Sequence, residues 1–378
     1  TQSLMGDALV AAGLFQLAQE AYTESSAGYR ALKNHSGEAW SEFALGKTLQ
    51  RVSRHYAAVD RFWNSHEAFE RAGQDVDAAW LLDWHGLSLR KGRDNENAAA
   101  SHRDGLGRFR KLKHSSGISA TARHLGDALT SLGEYVEAAA SYHEAAEAYR
   151  ERSLSLDVAD CLRLKASCFQ KSGDETNAII GYKEALTEYF SISRKDLRAG
   201  GASLAAYELG RILYDEKMYP QAIENFELAA DENEVQDDRN DAAIIFGWIA
   251  RCHEESGSPE RAIEPQQESC RHLRAIAAAM VRNPGARNTA AEGIDSRLAQ
   301  GSSRLADFLL KTRRWPEARE SLAETITLGR KLAASVDPKS ESAEEVAASD
   351  QLASALLRRG VCEERLKQPV ESVLSFVE

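Results

Sequence analysis

The sequence predicts an all-α fold made of about nine stacked helix pairs. Three observations support this prediction: a repeat of about 40 residues, an alanine at a fixed place in nearly every repeat, and a composition that favours helix. Of the 378 residues, 43% are hydrophobic and only 7 are proline. Ala, Leu, Glu and Arg recur throughout, and these residues lose little on entering a helix. A fold rich in β-strands is therefore not expected.

A small residue marks each repeat, and we call it the head. The first five heads are equally spaced, and the series continues after one longer link and two inserts. The heads are Gly6, Gly46, Gly86, Gly126, Ala166, Gly210, Ala250, Ala306 and Gly360. Repeats one to seven thus occupy residues 1–280. Repeats eight and nine occupy residues 281–378, where we expect longer helices, inserts and an incomplete last repeat.

An alanine follows the head by 12 positions in eight of the nine repeats. These residues are Ala18, Ala58, Ala98, Ala138, Ala178, Ala222, Ala262 and Ala318. In most repeats a ring or a large apolar residue comes four positions later, on the same face of a helix. Between head and alanine lies a turn residue that can end a helix in the left-handed conformation, as at Gly13, Ser53, Gly133, Gly173 and Gly257. Each repeat is therefore predicted to be helix, tight turn, helix, which we call helix A and helix B.

The small residues allow helix A and helix B to approach each other closely. A glycine or alanine on helix A and an alanine on helix B let two backbones come together, while the rings fill the space beside them. One such pair buries too little apolar surface to fold alone, so the repeats must stack.

The residues from Leu125 to Ala145 read Leu-Gly-x-x-Leu-x-x-x-Gly-x-Tyr-x-x-Ala-x-x-x-Tyr-x-x-Ala. This segment resembles the tetratricopeptide repeat. The repeat here is longer, about 40 residues, and is similar to the variety in kinesin light chains, in bacterial peptide-sensing regulators and in the sensor arms of large signalling ATPases. The resemblance implies a right-handed α-solenoid whose A helices line a concave groove. It also implies binding of a protein or a peptide.

The ends and the inserts carry further expectations. Thr1 falls within helix A of repeat one and Glu378 within helix B of repeat nine, so we expect additional sequence on both sides. Residues 281–295 and 334–346 interrupt the repeat and contain Pro284 and Pro338. We expect longer B helices followed by wide surface loops there, with a lid or docking loop as the alternative.

Charge and cysteine content exclude several classes of protein. The chain has 47 Lys and Arg against 58 Asp and Glu, a net charge of −11, which disfavours nucleic acid and anionic lipid as partners. Five cysteines without a CxxC pair argue against a disulfide framework and a tetrahedral zinc site, and favour a cytoplasmic location. No apolar run approaches the roughly 20 residues of a membrane helix.

Catalytic motifs are absent from the sequence. It contains no P-loop, no GxGxxG, no GxSxG and no HExxH, so we expect no enzyme, no cofactor and no metal. His85, His102, His143 and His253 belong to different faces or repeats and lack ligand spacing, which favours ordinary surface or half-buried histidines.

The resemblance assigns five positions of helix A to the groove: six and three before the head, and one, four and five after it. In repeats two to five these positions carry seven basic and three acidic residues, so the charge of the groove is opposite to that of the whole chain. The candidate ligand-binding residues are Trp40, Phe43, Lys47, Arg51, Trp80, Arg90, Lys91, Arg123, Arg163, Lys171, Tyr207, Arg211, Tyr214 and Arg251.

These residues suggest an acidic segment of a partner protein, partly aromatic or apolar, lying across repeats two to six. Arg123 and Arg163 would pair with its carboxylates, and Trp40 and Trp80 would supply apolar contacts. In the alternative, the groove charges have partners within the chain. The whole chain could also be the sensor arm of a larger bacterial signalling or transcription regulator with an ATPase or DNA-binding effector, or the substrate-presenting array of a protease or kinase. Self-association stays open. The groove positions of repeats two to five lack the asparagine of a chaperone-type carboxylate clamp.

Overall fold

The computed structural model describes residues 2–234, 238–282, 293–334 and 343–366. Within these ranges the chain forms 17 helices and no strand, which confirms the all-α prediction. The helices are α1 (Gln2–Ala11), α2 (Phe15–Ala31), α3 (His35–Arg51), α4 (His55–Arg71), α5 (Asp75–Lys91), α6 (Asn95–Leu112), α7 (Ser115–Leu132), α8 (Tyr135–Glu151), α9 (Ser155–Lys171), α10 (Glu175–Ser191), α11 (Lys195–Asp215), α12 (Tyr219–Asn233), α13 (Arg239–Glu255), α14 (Pro259–Arg282), α15 (Ile294–Lys311), α16 (Trp315–Ala334) and α17 (Ala343–Arg365).

The helices form two compact units, Thr1–Ser193 and Arg194–Glu378. In each unit, every helix packs mainly against the helices that precede and follow it, as in a solenoid of helical repeats. Odd-numbered helices are the A helices and even-numbered helices are the B helices. The boundary at 280/281 drawn from repeat length stays a prediction.

The contact between helix A and helix B has the predicted basis in small residues. All eight repeat alanines are fully buried, at 0% exposure. The ring four positions after the alanine lies directly over the head glycine. A Cβ added to Gly126 would be 2.8 Å from the ring of Tyr142, and one added to Gly46 would be 2.7 Å from the ring of Phe62. The heads must therefore stay small for the rings to fit.

The turns between helices A and B also match the prediction. Gly13, Ser53, Gly133, Gly173 and Gly257 all have positive φ, between 59° and 81°. At the third of these turns, the N–H of Glu134 donates to the carbonyl of Leu129 at 3.0 Å and closes the end of the helix. Repeats three, six and eight form the same turn with a long side chain, at Arg93, Lys217 and Arg313. The sequence did not reveal these turns, because Arg and Lys are not typical turn residues.

Salt bridges join successive B helices on the exposed side of the first unit. Arg108 on α6 pairs with Glu70 on α4 at 2.5 Å, and Arg110 pairs with Glu144 on α8 at 2.5 Å. Arg150 on α8 pairs with Glu188 on α10 at 3.0 Å. The four B helices α4, α6, α8 and α10 are thus linked in series.

The two B helices that precede the inserts are long. Helix α14 has 24 residues and α16 has 20, compared with 17 for α4 and α8. Residues 283–292 and 335–342, which make up most of both inserts, lie outside the described residues, as does the predicted helix B of repeat nine.

All five cysteines are free and buried. Burial raises the pKa of Cys161 and of Cys252 to about 12, so these thiols stay protonated at neutral pH. In the part of the chain that the structure covers, no helix combines the length and apolarity needed to cross a bilayer.

We expect Gly126→Ala to lower the free energy of unfolding by about 1–3 kcal/mol, because the new methyl group would collide with Tyr142. Gly107→Ala on α6 is the matched control, since a Cβ there meets nothing within 4 Å. That change should raise the stability by about 0.5–1 kcal/mol through helix propensity. Urea unfolding followed by circular dichroism measures both. Equal effects of the two substitutions would contradict the packing described here.

Candidate functional site

Three repeat positions meet between one helix pair and the next helix A. They are the residue three before the head, the ring position 16 after it, and the residue two before the next head. We call these three positions the triplet. In repeat two the triplet is Phe43, Phe62 and Trp84, from α3, α4 and α5. Its ring centroids are 5.6 to 5.9 Å apart, so the three rings form one aromatic cluster.

The triplet of repeat six is also aromatic. Tyr207 and Trp248 lie 6.0 Å from the ring of Phe226, and the indole N–H of Trp248 donates to the hydroxyl of Tyr207 at 3.1 Å. Tyr214 packs on the indole at 5.1 Å. The first member of the triplet is a groove position of the sequence analysis. Trp248 was not predicted, because it comes one residue after a groove position.

Several predicted groove cations lie over these rings. The ammonium of Lys47 is 5.4 Å from the ring of Phe43 and 5.5 Å from that of Trp84. Arg251 lies 4.7 Å and Arg211 5.9 Å from the ring of Trp248. These distances fit cation–π contacts, which place positive charge beside the rings of both triplets.

Repeat three replaces the three rings by Asp83, His102 and His124. Both imidazoles donate from Nδ1 to the Asp83 carboxylate, His102 at 2.9 Å and His124 at 3.0 Å. Asp83 and His102 are buried, and His124 is partly exposed. Burial alone would raise the pKa of the Asp83 carboxyl, but the hydrogen bonds and charges of His102 and His124 lower it below its usual range.

The prediction for His102 was wrong. Its side chain is 0% exposed and belongs to a polar cluster, whereas the sequence suggested an ordinary surface or half-buried residue. The three members lie on three helices, and the two histidines follow Asp83 by 19 and 41 residues along the chain. No local spacing could therefore reveal them. Only the register of the repeat brings these positions together.

Repeat seven replaces the rings by Gly247, Gln266 and Arg304, and a pocket of about 190 Å³ opens there. Trp248, Arg251 and Arg297 also line it, and none of its lining residues is acidic. Glycine removes the first ring and leaves the space. The pocket thus combines three guanidinium groups with an indole.

Two polar groups in this pocket lack the partners that buried groups normally have. The side-chain carbonyl of Gln266 is buried without a hydrogen bond, although its amide donates to the backbone carbonyl of Gly301 at 3.2 Å. Burial, followed by the charge of nearby Arg251, lowers the pKa of Arg304. Neither Arg304 nor Arg251 forms a hydrogen bond or ion pair within the described residues. Arg297 donates to the side chain of Asn240 at 2.6 Å.

Three of the predicted arginines of the first compact unit lie differently, because acidic groups are close to them. Arg90 pairs with Asp127 at 2.9 Å, and Arg123 lies 3.6 Å from the carboxylate of Asp157. Arg163 is the third case, and its neighbours are Asp160 at 4.0 Å and the Tyr189 hydroxyl at 3.4 Å. The positive charge expected at these positions is thus partly neutralised within the chain.

The remaining predicted residues are spread along the A helices. Trp40 is half-exposed and meets the ring of Phe69 edge-on at 5.2 Å. Trp80 packs against Phe109 at 4.9 Å. Arg51 lies 5.3 Å from the ring of Phe15, and Lys91 and Lys171 are exposed.

Comparison with known proteins identifies similar structures but no similar sequence. No family model and no curated protein matches the sequence.

The C-terminal part of a TPR repeat-containing protein from Cytophaga hutchinsonii is similar in structure. It is 16% identical in sequence, and the match covers 82% of this chain and 99% of that one with a TM-score of 0.55. A signal transduction ATPase with numerous domains and a tetratricopeptide repeat sensor, from Pyrococcus horikoshii, matches at 11% identity and TM-score 0.56 over 95% of this chain. The match covers 46% of that ATPase. The apo form of RapI matches at 12% identity, 78% of this chain, 98% of that one, and TM-score 0.50. The predicted tetratricopeptide-repeat fold is confirmed.

We expect Trp84→Ala to lower the free energy of unfolding by about 3 kcal/mol, because it opens the aromatic triplet of repeat two. Trp63→Ala on α4 is the control, since Trp63 is 43% exposed, and the expected loss there is at most about 1 kcal/mol. Chemical denaturation at neutral pH compares the two. If Trp63→Ala lowered the free energy of unfolding as much as Trp84→Ala does, the triplet would not stabilise the fold more than an exposed ring does.

Proposed function

We propose that the chain is a non-catalytic scaffold that binds a protein or peptide on the face formed by its A helices, and that the ligand contributes an acidic segment. The observation that carries the proposal is the pocket at Gly247, Gln266 and Arg304, where positive charge meets no acidic lining residue.

The charges of this pocket favour an anion. Arg251 and Arg304 line one small cavity without a carboxylate of the described residues in ion-pair distance. Burial is the main cause that lowers the pKa of Arg304, and repulsion by the positive charge of Arg251 adds to it. A carboxylate placed between them would form charge-assisted hydrogen bonds and relieve the repulsion.

The uncharged groups favour a peptide over a simple anion. The unpaired carbonyl of Gln266 needs a hydrogen-bond donor, and leaving it unpaired costs about 1–3 kcal/mol. A peptide offers an amide N–H close to its carboxylate side chains or its C-terminus. The indole of Trp248 beside the pocket offers an apolar surface for a neighbouring residue. An acidic peptide with one apolar or aromatic residue matches the guanidinium groups and the indole, and it would reach the Gln266 carbonyl after that side chain rotates toward the pocket.

In the first compact unit, Arg123 and Arg163 remain candidate contacts for the same kind of segment. A ligand carboxylate would have to compete with Asp157 and Asp160 for these arginines. The net free energy of binding contributed by each contact would therefore be smaller. We therefore assign the stronger contact to Arg251 and Arg304.

A second candidate function is the sensor arm of a larger regulator. The likeness to the Pyrococcus horikoshii ATPase favours it, because that protein is described as carrying a tetratricopeptide repeat sensor. In this version the same surface binds the ligand, and its occupancy biases an effector domain. Recording whether an ATPase or DNA-binding domain adjoins these repeats in the full gene product tests it.

The first test uses a fluorescent decapeptide of glutamate and tryptophan, with a decapeptide of lysine and tryptophan as the ligand control. We expect the chain to bind the glutamate peptide. Arg251→Glu combined with Arg304→Glu should weaken that binding by at least about 30-fold, because two ligand charge pairs are lost. Fluorescence anisotropy at moderate salt gives the dissociation constants.

The matched control for this test reverses two exposed arginines on α14, Arg261→Glu and Arg271→Glu, which change the net charge equally. A third arm reverses Arg123 and Arg163 and should have a smaller effect than the first. Circular dichroism checks that each variant is folded. Equal binding of both peptides, or equal loss in the α14 control, would refute an acidic ligand at this pocket.

The second test separates binding from stability. We expect Gln266→Leu to change the free energy of unfolding by less than about 1 kcal/mol, because removal of the unpaired buried carbonyl offsets loss of the amide's hydrogen bond to Gly301. Leucine already occupies the equivalent position of repeat eight, at Leu322. The same variant should bind the glutamate peptide more weakly. Unchanged or tighter peptide binding would show that the Gln266 carbonyl is not a ligand contact.

A further inference from the structure

The triplet of repeat three holds three side chains that can bind metal, at positions where repeats two and six hold only rings. We propose that Asp83, His102 and His124 bind one divalent transition-metal ion, with Zn²⁺ as the best fit. This inference does not depend on peptide binding, since the peptide pocket is built from other residues in the second compact unit.

The geometry brings the donor atoms together. Each side chain offers one ligand atom, and the three atoms lie within 4.8 Å of one another. The Nδ1 atoms of His102 and His124 are 2.9 and 3.0 Å from the nearest oxygen of Asp83. Bonds of 2.0–2.1 Å to a tetrahedral ion place ligands about 3.3 Å apart. Small rotations of the side chains would therefore admit an ion. It would take the place of the two Nδ1–H hydrogen bonds to Asp83, with the proton of each neutral imidazole moved to Nε2.

The chemistry of the donors selects the metal. Two imidazole nitrogens and one carboxylate suit Zn²⁺ and its first-row neighbours, while Ca²⁺ and Mg²⁺ prefer all-oxygen sites. Three protein ligands leave a fourth position for water or for a group of a bound partner. The side chain of His124 is 26% exposed, which gives an ion a route from solvent to an otherwise buried cluster.

The cluster is a poor substitute for the rings if it serves packing alone. A buried polar network stabilises a fold only when all of its members have partners. Nε2 of His102 is buried and has no hydrogen bond. The neighbouring repeat shows that three rings fill the same space. Metal binding gives a reason for three ligand-type residues at one triplet.

The test uses the full chain after treatment with EDTA and removal of the chelator. Titration with Co²⁺, a spectroscopic substitute for Zn²⁺, should give visible d–d absorption that saturates at one ion per chain and is abolished by added Zn²⁺. Two variants use residues found at the same positions of other repeats: His102→Phe, as at Phe62, and His124→Leu, as at Leu164. Each should weaken Co²⁺ binding by more than about 100-fold, beyond the 10–100-fold typical of outer partners of a metal site.

The control is His143→Leu, because His143 is exposed on α8 and outside the cluster. It should bind Co²⁺ as the unaltered chain does.

An NMR measurement on the unaltered chain does not depend on whether the variants fold. With ¹⁵N-labelled histidine, Zn²⁺ should shift the imidazole signals of two of the ten histidines. Absence of d–d absorption, or binding by His102→Phe at the wild-type level, overturns the proposal. So does a Zn²⁺ titration that leaves all ten imidazoles unshifted.

Discussion

The close approach of a ring to a small head residue is the contact on which this fold depends. In repeat four the ring of Tyr142 covers Gly126 so tightly that a methyl group has no room. Ala138, one turn before Tyr142, is fully buried in the same interface. Together these residues fix the distance and the register of the two helices. The next helix A can then pack against the pair at a constant place.

Because the next helix A packs at a constant place, the same three positions meet in each repeat and form the triplet. The repeats differ in the residues at these three positions. Repeats two and six fill it with rings, repeat three with Asp83, His102 and His124, and repeat seven with Gly247, Gln266 and Arg304. In each of these repeats the triplet comes from a helix A, the helix B that follows it and the next helix A, so each exchange alters local chemistry within the same helix order. Rings add apolar packing, while the exchanged triplets create a polar cluster in one case and a cationic pocket in the other. Repeat proteins tolerate such variety because each repeat contacts mainly its neighbours.

How much of this was predictable depends on the distance along the chain between the residues concerned. Heads, alanines and turns such as Gly133 repeat within a few helical turns, so the sequence sufficed for them. Arg93 formed the same turn without the expected glycine, because neighbouring contacts can impose the left-handed conformation on other residues. The triplet joins residues from three helices, and the partners of Arg90 and Arg123 come from the next repeat. The resemblance could therefore assign candidate groove positions, but the sequence could not predict the ion pairs of the residues there.

The series of arginine and glutamate pairs along α4, α6, α8 and α10 has a mechanical consequence. The pairs are partly exposed, so each is weak and dissolved salt screens it. They nevertheless act in sequence on one side of the first unit, where bending or twisting must stretch them. The first unit should therefore be elastically stiffer at low ionic strength than at high ionic strength.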